Sequence, residues 1–203
     1  LNDAAAGIGA TAPDQPAGIS QGEASGLPAI EGRITASYKT LATVWVAGHW
    51  NEVDLNGVGT DGGDDIAVSA IAGGGKVSYM GATLAAVGFT GKNTGALIGN
   101  LVQFGLGPAN EDVSATGFWV QGGFNVTKEL SAWVLYGQQT PDEDEAKAAQ
   151  FARLKNTTTN VMVQYRDGGY GLSLEWLNFK TENATYTGGV FTSSADAKVM
   201  PIL

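Results

Sequence analysis

The feature that most restricts this chain is a strict period-two alternation, written most plainly between Thr157 and Thr181. Thr157, Thr159, Val161, Val163 and Tyr165 fall on one face of an extended strand, and Thr158, Asn160, Met162, Gln164 and Arg166 fall on the other. After an Asp167-Gly168-Gly169 turn, Tyr170, Leu172, Leu174 and Trp176 alternate with Gly171, Ser173 and Glu175. Side chains of a strand alternate between faces, so this pattern writes a hairpin with one apolar and one polar face. Each arm is about 10 residues long, the length a tilted strand needs to cross a bilayer. The hairpin therefore predicts a membrane barrel rather than an enzyme.

The same alternation recurs along the chain. Residues 1–28 are small, polar and Pro/Gly-rich and read as a long loop or disordered arm, with the folded body at 29–203. Ile30, Gly32, Ile34, Ala36 and Tyr38 form an apolar face against Glu31, Arg33, Thr35 and Ser37. Lys39-Thr40 reads as a two-residue connection into a strand from Leu41 to Val53. A glycine- and aspartate-rich loop covers 54–65, a weaker strand 66–72, and Gly73-Gly74-Gly75 reads as a turn. The strand from Lys76 to Thr90 then sets Val77, Tyr79, Thr83, Ala85, Val87 and Phe89 on one side. Beyond the segment 91–114, strands at 115–126 and 130–139 are joined by Thr127-Lys128-Glu129. Past Thr181 the signal weakens, and 197–203 reads as a truncated last strand in which Pro201 is unsuited to a central position.

One segment changes period. Thr140 can cap a helix, Pro141 suits its first position, and Glu143 stands at capping-box spacing from Thr140, which predicts a short helix over about 141–154. Asp142 to Glu145 lie at its positive end and Arg153 and Lys155 at its negative end, so the acidic run reads as capping and solvated surface, with metal binding as the alternative.

Composition narrows the choice of class. The 203 residues include 30 Gly, which suits strands that bend and pack closely. Hydrophobic content is 43%, and no run approaches the ~18 apolar residues of a membrane helix, so a helical span is excluded while an interleaved barrel is allowed. The net charge of -9 argues against nucleic acid, which needs Lys and Arg to neutralise phosphates. With no cysteine, neither a disulfide framework nor a thiolate metal site can form. No charged-then-apolar signal segment precedes the body, so the chain reads as mature, trimmed or a fragment.

Alternation alone does not separate a barrel from a sandwich, since a sandwich also buries one strand face. Loop lengths separate them: the connections 39–40, 73–75, 127–129 and 167–169 are short, and those between them run to about 12, 24 and 17 residues. In an antiparallel series all the short ones then lie at one end, as periplasmic turns do in transmembrane barrels. Aromatics fall in two groups on the apolar face, Tyr38, Tyr79, Phe124, Tyr165 and Tyr170 toward the short turns and Trp50, Phe89, Phe118, Tyr136 and Trp176 toward the long loops. Two such belts around an aliphatic band mark two membrane interfaces. A secreted or periplasmic β-sandwich is the competing architecture.

If lipid meets the apolar faces, the other faces line an interior. They carry Glu31, Arg33, Gln121, Asn160, Gln164, Arg166, Glu175 and Lys180, with Thr35 and Asn125 beside them, and opposed charges across a wet lumen would filter solutes by charge. Solvated strand faces without a selective role are the plainer reading of each one singly. The sole histidine, His49, reads as a solvated strand-end residue, because no cysteine or second His exists to build a nucleophile and base pair. No catalytic residue, metal or cofactor is expected. Asp54-Leu55-Asn56-Gly57 and 61–65 have the composition of calcium loops, but Val58 stands at a ligand position and no glutamate closes the loop. Acidic loops of this kind could meet divalent cations that bridge lipopolysaccharide. Within 91–114 the run containing Leu97, Ile98, Leu101 and Phe104 is too apolar for an open loop. Inward folding as a constriction, a subunit contact, and an extra strand or helix are its three readings.

The run 115–139 resembles the strand-turn-strand unit of Gram-negative outer-membrane porins. The run 153–160, the Arg166-Asp167-Gly168-Gly169-Tyr170 hairpin and Leu174-Glu175-Trp176 resemble the C-terminal half of DcaP-like porins, over about residues 27–199. The resemblance implies a trimeric sixteen-stranded channel in the outer membrane for small hydrophilic or anionic solutes. The eight or nine strands readable here would be half of such a barrel, and Met200-Pro201-Ile202-Leu203 stands where the family has a terminal aromatic. A non-conducting surface or adhesion barrel is the alternative.

Overall fold

The computed structural model describes residues 27–54, 65–94, 112–148, 153–187 and 190–202. Nine strands form one antiparallel sheet in chain order: β1 Ile30–Tyr38, β2 Ala42–Asp54, β3 Asp65–Tyr79, β4 Ala82–Lys92, β5 Ser114–Asn125, β6 Leu130–Pro141, β7 Arg153–Asp167, β8 Tyr170–Thr187 and β9 Val190–Ile202. A six-residue helix, α1 Glu143–Ala148, lies between β6 and β7. The chain is thus all-β, and among the described residues β1 and β9 are the two edges of the sheet. The expected arm at 1–28 falls outside the described residues except for Leu27 and Pro28.

Register carries one face through the whole sheet. The rung from Tyr38 runs through Ala42, Val77, Leu84, Gly122, Val134, Val161 and Trp176, and its neighbours place Ile34, Val46, Phe118 and Leu174 on the same side. This apolar face is the exposed one: Ile34 is 74% accessible, Leu84 57% and Leu172 76%. The opposite face is more sheltered, and in β4 the two alternate residue by residue. Concave side chains crowd while convex ones splay, so this asymmetry fits a sheet curved toward its less apolar face. The buried side chains gather at one end instead, where Val68, Asn51, Asn93, Val113, Ala115 and Ala146 lie.

Hairpin ends climb steadily across the sheet. The rung through Tyr38 meets Val77, Gly122 and Val161, whereas β3, β5 and β7 continue to Tyr79, Asn125 and Asp167, which are two, three and six residues further. The stagger is about one residue per strand.

Several boundaries differ from the sequence reading, each for a local reason. Gly73-Gly74-Gly75 is no turn but the middle of β3, paired to Val46, Trp45 and Val44. A Cβ on Gly74 would stand 2.8 Å from the Trp45 ring and from the Ala86 carbonyl oxygen, so glycine there serves close approach rather than chain reversal. The reversal is at Met80-Gly81, both with positive φ (48° and 83°), as a two-residue hairpin turn requires. Moving the turn flips the strand after it, so Thr83, Ala85, Val87 and Phe89 lie on the face opposite Val77 and Tyr79. Phe89 accordingly leaves the aromatic set of the apolar face, where the other nine expected members lie.

The first connection is three residues rather than two, with Lys39 at φ 51° and Tyr38 opposite Ala42. The helix is shorter than expected. Thr140 and Pro141 belong to β6, Asp142 caps the helix through Oδ1, which accepts from the backbone of Asp144 and Glu145, and Arg153 and Leu154 belong to β7. The tail is longer than expected, since β8 reaches Thr187 and β9 pairs with it along thirteen residues. Pro201 is tolerated because β9 is an edge strand among the described residues.

Adjacent glycines in β5 test this geometry. A side chain at Gly122 meets nothing within 4 Å, whereas one at Gly123 would collide with the Trp133 ring. Gly123→Val should lower stability by about 1–3 kcal/mol through overpacking, and Gly122→Val should leave it within about 0.5 kcal/mol. Urea unfolding of the two variants refolded in lipid vesicles reads the difference, and equal effects would contradict the placement of the ring.

Candidate functional site

The less apolar face gathers seven of the eight polar residues singled out in the sequence: Glu31, Arg33, Gln121, Asn160, Gln164, Arg166 and Glu175. Lys180 is the exception and a correction. It pairs with Thr157 on the apolar face, where its ammonium lies 4.0 Å from Glu182. Leu97, Ile98, Leu101 and Phe104 lie outside the described residues, as do 55–64 of the calcium-like loop. Among the described residues no group of three or more His, Asp and Glu side chains could hold a metal ion.

The seven fall into two regions joined through the sheet. At one side, β7 and β8 bring Asn160 and Glu175 together, the Asn160 amide donating to the carboxylate at 3.3 Å, with Arg166 exposed nearer the turn. At the other, β1 and β2 bring Glu31, Arg33 and His49 together. Register places Glu31 opposite His49, and the imidazole Nδ1 lies 2.7 Å from the carboxylate. The second ring nitrogen lies 2.7 Å from the side-chain oxygen of buried Asn51. An imidazolium donates to both. A neutral ring donates to Glu31 and accepts from Asn51 once that amide is turned, so either state is satisfied.

His49 is therefore a fixed member of a three-residue network rather than a solvated strand end. A two-residue first connection would set Glu31 opposite Gly48, so the pair depends on the positive φ of Lys39 that adds the third residue. Arg33 is held in turn, its Nε donating to Thr35 Oγ1 at 3.1 Å and its guanidinium carbon 4.5 Å from the Trp45 ring centroid.

The sequence reading missed a second feature of this face. Trp45, Phe89, Trp119 and Trp133 each stand directly opposite a glycine, Gly74, Gly117, Gly137 and Gly123 respectively. Cβ atoms at Gly74, Gly117 and Gly123 would collide with the ring opposite, so the rings lie against bare backbone. The lining is consequently mixed, with aromatic surface on β2 to β6 and charged groups at β1–β2 and β7–β8. No family model, curated protein or solved structure matches the chain.

Burial separates the two partners of His49. Asn51 is buried while the Glu31 side chain is 74% exposed, so Asn51→Ala should cost about 1–3 kcal/mol and Glu31→Ala under about 1 kcal/mol. Chemical denaturation of each variant checks the order, and a larger loss at Glu31 would mean that the carboxylate is the structural partner.

Proposed function

We propose that this chain forms part of an outer-membrane porin, a passive diffusion channel for small hydrophilic or anionic solutes. The observation that carries the reading is the apolar face, continuous across the sheet and exposed, with the buried side chains confined to one end of the strands. Soluble proteins rarely leave so large an apolar surface uncovered, whereas a barrel wall turns it to lipid.

Three further features support a membrane wall. With a rise of about 3.3 Å per residue and strands about 4.8 Å apart, a stagger of about one residue per strand corresponds to a tilt near 35°, within the range of closed barrels. The connections after β1, β3, β5 and β7 are short and lie at one end, those after β2, β4 and β6 are longer, and β8 returns to β9 between Thr187 and Val190. Nine aromatics share the lipid side of the proposed wall, and the resemblance to DcaP-like porins suggests a sixteen-stranded homotrimer contacting lipid and lipopolysaccharide.

One observation favours a second reading, a non-conducting barrel with a surface or structural role. Trp45, Trp119, Trp133, Leu135 and Leu177 occupy the side proposed as the lumen, and in a barrel of eight to ten strands such side chains would fill it.

Single-channel recording of the intact protein in a planar bilayer separates the two. The porin reading expects discrete ohmic steps, and silence in lipids that accept the protein rejects it. Reversing Arg33 and Arg166 to Glu should move the reversal potential in a salt gradient toward cation preference by several millivolts or more, and an unmoved potential would remove both residues from the filter.

A further inference from the structure

We infer that Glu31, Arg33 and His49 form a recognition site for a small zwitterion that carries an ammonium and a carboxylate on neighbouring carbons, as an α-amino acid does. The three side chains border a hollow of about 440 Å³ whose floor is Ala47, Ala70 and Ala72. That volume lies within the range of small-molecule sites, and the small floor residues leave the charged groups standing above it.

Each charged group is held by contacts that leave its recognition atoms available. Glu31 is fixed through Oε1 by the His49 ring, which is itself only 11% exposed and anchored behind by Asn51. Its Oε2 has no partner among the described residues and can accept from an ammonium. Arg33 spends Nε on Thr35 with its guanidinium carbon 4.5 Å from the Trp45 ring centroid, which leaves the two terminal amino groups for a carboxylate. Glu31 and Arg33 are two residues apart on one strand face, about 6.6 Å along β1. That gap suits a ligand whose opposite charges are close together. A simple anion would meet Arg33 but also the Glu31 carboxylate, and a simple cation would meet the reverse, so each half alone is disfavoured where the zwitterion is matched.

The place of this site in solute passage rests on the porin reading, but binding itself does not. His49 is the only histidine, so its ring resonances report on the site without further labelling. Detergent-solubilised protein with isotope-labelled histidine is titrated at constant pH and ionic strength with glycine, sodium acetate or methylammonium chloride. The proposal expects a saturable shift of the ring signals with glycine, half-complete at a concentration about tenfold below that of either half-ligand, since each loses one charged hydrogen bond. Glu31→Gln and Arg33→Gln should each weaken the glycine response about tenfold or more, while Lys128→Gln, in the exposed turn between β5 and β6, leaves it unchanged. Equal responses to all three probes, or a glycine response indifferent to Glu31→Gln and Arg33→Gln, would overturn the site. Ion current with no glycine response rejects the site and keeps the porin, and a glycine response without current does the opposite.

Discussion

Everything in this molecule depends on the parity of its hydrogen-bond ladder. Seven successive antiparallel pairings keep the same residues on the same side from Tyr38 to Trp176, with one irregularity between Arg153 and Lys155 at the far end of β7. A slip of one residue in any pair would move a whole strand's apolar set to the other face. Fully burying a large aliphatic side chain is worth about 1.5–3 kcal/mol, and the face bearing Ile34, Leu84 and Leu172 forgoes that gain in water. Apolar surroundings would restore that gain, which is the physical content of the proposed membrane wall.

Parity also explains why glycine is so abundant. On the more sheltered face the rings of Trp45, Phe89 and Trp133 need room, and the strands supply it by presenting glycine opposite each one. The apolar face has glycines of another kind, such as Gly122 and Gly32, with open space where a side chain would be. The same residue type thus relieves crowding on one side and is free of packing constraints on the other. Among the described residues only Gly81 and Gly168 are glycines that serve positive φ within hairpin turns.

This double use of glycine marks the limit of what could be read from the sequence. Strand existence was legible wherever apolar and polar residues alternate, as in β1, β5 and the β7–β8 hairpin. The turn at Met80-Gly81 was not, because Met is a poor turn signal and the glycine triplet before it resembles one. That single displacement carried Phe89 to the wrong side. Lys180 was misplaced differently: it follows Trp176 by an even number of residues and so shares its face, which counting shows but charge obscures. The network of Glu31, His49 and Asn51 was out of reach because it rests on a register set by one positive φ at Lys39. The β9 pairing was weak in sequence because its residues, from Val190 to Ile202, mix small and polar types and end near a proline.

Direction along the sheet constrains how the proposed barrel can close. Strands of a meander alternate in direction, so β1 and β9, both odd in order, run the same way. Joining them directly would create a parallel seam in an otherwise antiparallel wall. Two copies related by an axis along the pore would meet β9 to β1, again in parallel. Two copies related by an axis in the membrane plane would pair antiparallel, but their long connections would lie on opposite sides of the bilayer, against the one-sided arrangement that barrels keep. An antiparallel closure therefore requires an odd number of strands beyond these nine. One added strand would complete ten and seven would complete sixteen, so edge direction selects an even wall without choosing its size.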